Sequence, residues 1–128
     1  MPRDDVLSAR CLQGAANYLS GLAAEDAAAR LYEASGYHPV EVRWRGRAGE
    51  VDLIFKNEAL YVFVEVKAAA TCDLAAERLT EAQLARVALA AEEYMGNHAE
   101  AGAGHIRIDA ALVDGAGKVQ IIENITLA

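Results

Sequence analysis

The chain has 128 residues, of which 54% are hydrophobic and 24% charged, and its formal net charge is −7. This length and composition are typical of one globular domain with a hydrophobic core, and the sequence contains no apolar run long enough to cross a membrane. The negative charge counts against a general nucleic-acid binder, which usually carries a basic surface, but it is compatible with a local basic patch on an acidic body.

The amino terminus and the cysteines indicate a cytoplasmic protein. The first five residues, MPRDD, carry acids where an export signal needs a basic segment. Cys11 and Cys72 are the two cysteines, and neither lies at zinc-like spacing from another cysteine or a histidine. We therefore predict reduced thiols rather than a disulfide.

The first predicted element is an alanine-rich helix from Val6 to about Ser35, which ends at a Ser-Gly pair. In its second half, Glu25 lies at the edge of the apolar stripe beside Tyr32, away from the charged face. This acid is either a boundary residue that reaches solvent, which the pattern alone favours, or a site residue. The predicted core stripe consists of Ala24, Ala27, Ala28 and Leu31.

A short predicted strand, Pro39–Trp44, leads into the dense basic cluster of the chain. Arg43, Arg45 and Arg47 alternate with Trp44 and a glycine in this cluster. One interpretation is a solvated edge strand that is protected by its charge. The other is a clamp for nucleic-acid phosphates beside a metal site.

Residues 49–67, GEVDLIFKNEALYVFVEVK, predict two paired strands with a polar turn at residues 56–58. The strands are Val51–Phe55 and Leu60–Val66. Both faces of the second strand are largely apolar, so helices should cover it on both sides. Glu65 and Lys67 share one of these faces, where charged groups are costly to bury unless they have a function.

The pairing register decides whether these charged groups meet Asp52. With an even-numbered hairpin loop, paired residue numbers sum to 115 or 117, and either register places Asp52 on the same face as Glu65 and Lys67. A sum of 117 places Asp52 directly opposite Glu65, with β-carbons about 5 Å apart; an odd loop or a bulge would break this. Two carboxylates that close repel each other unless one is protonated or a cation such as Mg²⁺ lies between them. The alternative is a buried ion-pair network of Asp52, Glu65 and Lys67 without a metal.

The rest of the chain adds a helix and two strands after an irregular stretch at residues 68–79. The helix opens with a Thr-x-x-Gln capping box, which explains Gln83 in structural terms, although this residue also lies at the edge of the apolar face. The predicted order is that of an α/β domain with a mixed central sheet flanked by helices. The last predicted elements are the helix Thr80–Met95, the strand His105–Val113, a turn at residues 114–118 and the strand Val119–Ile125.

Asp52, followed by Glu65-Val66-Lys67 on the adjacent strand, resembles the PD-(D/E)xK signature of nucleases. Longer segments resemble one family of bacterial proteins, the YraN-like family. The resemblance runs from Gly21 onward, which predicts residues 1–20 as a helical extension and residues 21–128 as a single nuclease-like domain. The segments that carry it are GLAAEDAAARLYEASGY (21–37), RWRGRAGEVDLI (43–54), FVEVK (63–67), RIDAALV (107–113) and IIEN (121–124).

Because this family is similar to Holliday-junction resolvases and other restriction-endonuclease-like enzymes, the resemblance implies an αβββαβ core. It also implies an endonuclease that hydrolyses phosphodiester bonds in DNA, including branched or structured DNA, and that can act as a homodimer. Asp52, Glu65 and the Val66 carbonyl would hold Mg²⁺ or Mn²⁺, and Lys67 would serve the attacking water. The resemblance also assigns catalytic roles to Glu25 and Gln83.

Two departures concern DNA binding rather than the metal carboxylates. Many family members carry an arginine two residues after the lysine, where this chain has Ala69. The start of the following helix offers Glu81 where the family often has a basic residue. These departures and the acidic composition favour the alternative of a weak or inactive nuclease-like module that binds nucleic acid or protein.

Overall fold

The structure, a computed structural model, describes residues 21–98 and 101–125. The predicted extension over residues 1–20 lies outside this part of the chain. Helix α1 is described from residue 21 and ends at residue 34. The other elements are β1 (His38–Arg45), β2 (Glu50–Asn57), β3 (Leu60–Ala68), α2 (Cys72–Glu77), α3 (Glu81–Asn97), a single 3₁₀ turn (Ala101–Ala103), β4 (His105–Val113) and β5 (Val119–Ile122).

The five strands form one mixed sheet in the order β1-β2-β3-β4-β5. Only β3 and β4 are parallel, and helices α2 and α3 form the connection between them. Helix α1 packs on one face of the sheet and α3 on the other. The predicted fold class is confirmed, since this mixed sheet between helices is consistent with a restriction-endonuclease-like αβββαβ arrangement.

Strands β2 and β3 are joined by a two-residue turn at Glu58 and Ala59. The pairs run from Asn57 with Leu60 up to Leu53 with Val64, so paired residue numbers sum to 117, one of the two predicted registers. Glu58 has φ 54°, the left-handed conformation that short hairpin turns require.

Strand β3 is covered on both faces, as the sequence predicts. Val62 and Val64 pack in the cluster beneath α1, whereas Tyr61 and Phe63 pack in the cluster beneath α3. All four are at most 4% exposed. The charged end of β3 therefore emerges from a strand whose centre is buried on both faces.

The core stripe of α1 differs from the predicted one. Ala24, Ala28 and Tyr32 are buried, whereas Leu31 is 40% exposed. Tyr32 stacks on Phe55 of β2 with ring centroids 4.7 Å apart, which turns the row of every fourth residue toward the sheet. The predicted helix end is correct, with Gly36 at φ 92° just beyond it.

Two other predicted boundaries are wrong. The stretch predicted to be irregular contains α2, which begins after the N-cap Thr71 and is only six residues long, too short to show a helical period. Strand β5 ends at Ile122 rather than Ile125, because the Asn124 backbone N–H donates to the Asp109 carboxylate instead of continuing the strand. None of the helices in the described ranges is long and apolar enough to span a membrane.

Candidate functional site

The candidate site lies where β2 and β3 stop pairing. The hydrogen-bonded pairing of β2 with β3 ends at the pair Leu53 and Val64, so Asp52 and Glu65 are the first residues beyond the paired region. Asp52 Oδ2 accepts a hydrogen bond from the Val66 backbone N–H at 2.7 Å. The carboxylate of one strand therefore binds the backbone of the next at the point where the regular ladder is interrupted.

The side-chain alternation of β2 also breaks at Asp52. Leu53 packs in the cluster beneath α1, whereas Val51, two residues away, packs in the cluster beneath α3. Residues two apart on a regular strand share a face, so the strand turns over at Asp52. A regular alternation from Glu50 through Asp52 to Ile54 is therefore not maintained.

Glu65 and Lys67 lie together at the end of β3. Lys67 Nζ is 3.2 Å from Glu65 Oε1, and the two side chains are 20% and 12% exposed, respectively. This confirms that both charged groups lie on one partly buried face. The ion pair with Glu65 therefore fixes the position of the Lys67 ammonium group beside any ligand that the Glu65 carboxylate binds.

Burial is the main cause of an unusual protonation equilibrium at Asp52. It raises the pKa of Asp52 to about 7, and the negative charge of Glu65 contributes to the rise, while the Val66 N–H opposes it. Burial also raises the pKa of Glu65, against the charge and hydrogen bond of Lys67. The carboxyl groups therefore favour a bound proton or a bound cation over two bare negative charges.

The donor set fits a hard divalent cation. Asp52 and Glu65 supply carboxylate oxygens whose mutual repulsion a cation would relieve, and Mg²⁺ or Mn²⁺ prefers such oxygens. No group of three or more His, Cys, Asp or Glu side chains that could hold a metal ion occurs among the described residues. A metal here would therefore need ligands besides the two carboxylates, such as the Val66 carbonyl, water or a phosphate oxygen.

Glu25 lies on α1 at the margin of this site and is held by Arg43. Arg43 Nη2 is 2.9 Å from Glu25 Oε2, and the Glu25 side chain is 16% exposed. The charge of Glu25 raises the pKa of Asp52, although less than burial and Glu65 do. Glu25 is therefore partly buried and ion-paired, rather than a boundary acid that extends into solvent.

Arg43 has a strained backbone within strand β1. Its φ is 52°, in the left-handed region that is uncommon for residues other than glycine. It lies between the pairs Val42 with Leu53 and Trp44 with Val51, level with Asp52. Strain of this kind is of order 1–3 kcal/mol and is common at functional sites. Here it directs Arg43 toward Glu25.

Gln83 performs two tasks at the start of α3. Its backbone N–H donates to Thr80 Oγ1 at 3.1 Å, which confirms the predicted capping box. With its amide oxygen turned toward Lys67, it accepts from Nζ at 3.2 Å and its amide nitrogen donates to Arg78 O at 3.1 Å. We favour this amide orientation because a charged donor at 3.2 Å is a stronger partner than the Thr80 N–H at 3.4 Å. It gives up the Thr80 N–H bond, so of the capping box it keeps the bond from the Gln83 N–H to Thr80 Oγ1.

The three arginines of the basic cluster have different surroundings. Strand β1 is an edge of the sheet, as one interpretation predicts. Arg43 is paired with Glu25, and Arg45 lies 3.3 Å from Glu50. Among the described residues, Arg47 is engaged through its backbone, which binds Glu93 of α3. Glu93 thus contacts the loop between β1 and β2.

Comparison with known proteins identifies the family of the chain. The model of the uncharacterised protein family UPF0102 matches residues 24–113. The chain belongs to this family. The predicted YraN-like membership is therefore confirmed, and every predicted site residue lies within the matched range.

Relatives from three organisms match this chain over most of its length. A UPF0102 protein of Ruegeria pomeroyi is 43% identical over 92% of this chain and 96% of its own length. One from Roseobacter denitrificans is 41% identical over 91% of each chain. One from Cereibacter sphaeroides is 41% identical over 88% of this chain and 97% of its own.

Arg86 is a residue beside the candidate site that the sequence pattern did not indicate. It is exposed on α3. Its side-chain carbons pack beside Gly49, 3.8 Å from where a Cβ would lie, and its charge lowers the pKa of Glu65. The available signal was its position three residues after Gln83, on the same side of the helix.

A buried polar network around Asp109 was also missed. Asp109 is 0% exposed and accepts from the Tyr32 hydroxyl at 2.7 Å. Arg107 binds it with two nitrogens at 2.9 Å each, and the Asn124 N–H donates to it at 2.9 Å. The signal was an aspartate two residues after an arginine and directly before the apolar end of β4. The network joins α1, β4 and the segment after β5.

Proposed function

We propose that this protein is a divalent-metal-dependent endonuclease that hydrolyses phosphodiester bonds in DNA. The observation that carries the proposal is the convergence of Asp52, Glu65 and Lys67 where β2 and β3 separate. Burial and the repulsion of neighbouring carboxylates raise the pKa values of Asp52 and Glu65, so a bound cation would relieve the buried negative charge.

Asp52, Glu65 and the Val66 carbonyl would hold Mg²⁺ or Mn²⁺. When bound, the metal would polarise the phosphoryl group and promote ionisation of water. The Val66 N–H keeps one oxygen of Asp52 fixed, which orients the other oxygen. The carboxylate thus needs little rearrangement when it takes up its ligand.

Lys67 would orient the attacking water and stabilise the negative charge that develops on the phosphoryl oxygens. Gln83 accepts a hydrogen bond from Lys67 and so restricts its ammonium group. Glu25 would act through a water at the edge of the site. These roles use the side chains in the positions where the fold holds them.

The surface around the site supports a nucleic-acid substrate. The end of β1 and the loop before β2 carry Arg43, Arg45 and Arg47, which would neutralise phosphates that flank the cleaved bond. We propose branched or otherwise structured DNA as the substrate. Cleavage of both strands would require two active sites, which a homodimer supplies.

The experiment is calorimetric titration of Mg²⁺ and Mn²⁺ into the wild type, Asp52→Asn and Glu65→Gln. It is paired with cleavage assays on a labelled four-way junction, a flap and a single strand. We expect metal binding and cleavage in the wild type and loss of both in the two variants. Glu33→Gln, an exposed acid on α1, is the matched control and should behave like the wild type.

A second candidate is a nucleic-acid-binding module without activity. The ion pairs of Arg43 with Glu25 and of Arg45 with Glu50 favour it, because they reduce the positive charge offered to DNA. Wild-type protein that binds the junction but neither binds metal in its presence nor cuts it would support this module and contradict the endonuclease.

A further inference from the structure

The loop between β1 and β2, residues 46–49, is fixed to helix α3 by its backbone. The Arg47 N–H donates to both carboxylate oxygens of Glu93, at 3.0 and 2.8 Å. Within the loop, the Gly46 N–H donates to Gly49 O at 2.9 Å. A charge-assisted bond to a carboxylate on a different element restrains the loop more than turn hydrogen bonds alone.

Aromatic packing fixes the stem of the same loop. Trp44 lies edge-to-face on Tyr94, the residue after Glu93, with ring centroids 5.3 Å apart. A Cβ at Gly46 would overlap the Glu93 carboxylate and the Trp44 ring. Glycine at this position therefore permits the close approach of loop and helix.

Arg47 differs from the other two arginines of this cluster because, among the described residues, its guanidinium has no ion-pair partner. Arg45 is paired with Glu50, and Arg43 with Glu25. Arg47 is exposed, and within the described ranges its guanidinium makes no ion pair or hydrogen bond. The backbone of Arg47 is thus tightly held while its charged group faces solvent.

The loop that carries this charge leads into the candidate site. Gly49 packs beside Arg86 of α3, and β2 begins at the following residue, Glu50, two positions before Asp52. This short connection makes a phosphate that flanks the one at Asp52 the ligand suited to Arg47.

We propose that Arg47 contacts a nucleic-acid phosphate beside the cleaved bond, and that Glu93 is a positioning residue that holds the Arg47 loop for this contact. The proposal rests on the proposed function in one respect, namely that the ligand is a nucleic acid. It predicts unequal roles for three arginines that are alike in the sequence.

The test measures binding of a fluorescein-labelled four-way DNA junction by anisotropy in Ca²⁺, over a range of salt concentrations. Arg47→Gln should weaken binding about five- to tenfold at 0.1 M salt and reduce the slope of log K against log salt by about 0.7–0.9. Arg45→Gln should weaken it about twofold or less, because its charge is already shared with Glu50.

The role of Glu93 is tested against its neighbour. Glu93→Ala and Glu92→Ala remove the same charge from the same helix, and Glu92 is exposed. Removing a negative charge alone favours DNA binding, so Glu92→Ala should bind equally or slightly better. Glu93→Ala should instead bind about threefold or more weakly than Glu92→Ala, because the released loop must be ordered on binding.

A double substitution separates positioning from general stability. In the Arg47→Gln background, Glu93→Ala and Glu92→Ala should bind equally, since the loop no longer carries the contact. In the wild-type background, Glu93→Gln keeps an amide oxygen that can accept a hydrogen bond from the Arg47 N–H. It should therefore bind DNA as tightly as the matched variant Glu92→Gln. Thermal unfolding of each variant shows whether the domain is folded at the assay temperature.

Several results would overturn the proposal. Equal affinity of Arg47→Gln and wild type, or of Glu93→Ala and Glu92→Ala, contradicts it while leaving the endonuclease proposal intact. A defect of Glu93→Ala that persists in the Arg47→Gln background identifies Glu93 as a structural residue. A wild type that does not bind the junction contradicts the proposed function and this inference together.

Discussion

Burial and the neighbouring charge of Glu65 raise the pKa of Asp52 to about 7, well above the value of an exposed aspartate. The folded protein therefore binds a proton at Asp52 more tightly than the unfolded chain does. The stability gained from this proton is complete below about pH 4, the unfolded pKa, and is lost as the pH rises through 7. Above pH 7 the ionised group destabilises the metal-free protein.

Asp52→Asn should therefore stabilise the metal-free protein at pH 8. We expect a gain of about 1–2 kcal/mol, less than the full pKa difference corresponds to, because partial solvent access screens the charge. At pH 4 the gain should largely vanish, since Asp52 is then protonated. Urea unfolding at the two pH values measures the difference.

Glu33→Gln serves as the control for this prediction, because it removes an acid from the exposed face of α1. Its stability effect should be small at both pH values. An equal gain from Asp52→Asn at pH 4 and pH 8 would contradict the proposed link between this carboxyl group and stability. Addition of Mg²⁺ should stabilise the wild type and leave Asp52→Asn unchanged.

Lys67 should contribute to the chemical step more than to metal binding. Lys67→Met keeps the apolar stem and removes the ammonium group, so single-turnover cleavage should fall by about 100-fold or more. Metal affinity in calorimetry should be retained or increased, because a positive charge near the carboxylates is removed. Lys56→Met, at the other end of the β2–β3 hairpin, should cut normally; a comparable loss there would indicate a general defect.

At the scale of elements, the start of α3 combines the Thr80 N-cap with the support of Lys67. The two tasks use different groups, since the cap needs the Thr80 hydroxyl and the support needs the Gln83 amide. A helix start that is stable for local reasons can present its third residue to a site without loss of order. The same geometry explains why the capping box alone accounts for Gln83 in the sequence.

Thr80→Ala and Gln83→Ala separate the two tasks. Thr80→Ala should reduce the free energy of unfolding by about 1 kcal/mol and leave cleavage unchanged. Gln83→Ala should reduce stability by a similar or smaller amount but slow cleavage about tenfold, because Lys67 loses its acceptor. Calorimetric unfolding and single-turnover kinetics measure both effects. Equal kinetics of the two variants would leave Gln83 with a capping role alone.

At the scale of the whole molecule, the Asp109 network joins parts of the chain that are far apart in sequence. Tyr32 contributes from α1, 77 residues away from Asp109. Arg107 also donates to the Tyr37 hydroxyl at 3.1 Å, which ties the segment after α1 to β4. Helix α1 also carries Glu25, so the network places one side of the candidate site relative to the sheet.

Removing the central carboxylate of this network should reduce the free energy of unfolding much more than removing one peripheral hydroxyl. Asp109→Ala leaves the partly buried Arg107 without its carboxylate and should reduce the free energy of unfolding by about 3–5 kcal/mol. Tyr32→Phe removes one hydroxyl and should cost about 1–2 kcal/mol. Urea unfolding measures both, with Tyr37→Phe as a half-buried control of smaller effect. Similar losses from Asp109→Ala and Tyr37→Phe would contradict the central role of Asp109.

Local patterns in the sequence predicted most of the fold. Alternation in β3, the hairpin register, the capping box and the helix end at Gly36 depend on residues close together in the chain. The elements that escaped prediction, α2 and the early end of β5, are a helix too short for a period and a strand interrupted by a distant carboxylate. The charged pair Glu65 and Lys67 was recognised because it stands out on an apolar strand.

The sequence by itself determined the α/β order of elements and the candidate residues Asp52, Glu65 and Lys67, because strand alternation and motif spacing are local properties. Only the tertiary structure decided what each candidate contacts: Asp52 with the Val66 N–H, Glu25 with Arg43, and Arg47 on a loop held by Glu93. These contacts join residues up to 46 positions apart. They depend on how the strands twist and separate and how the helices pack, which no short-range pattern encodes.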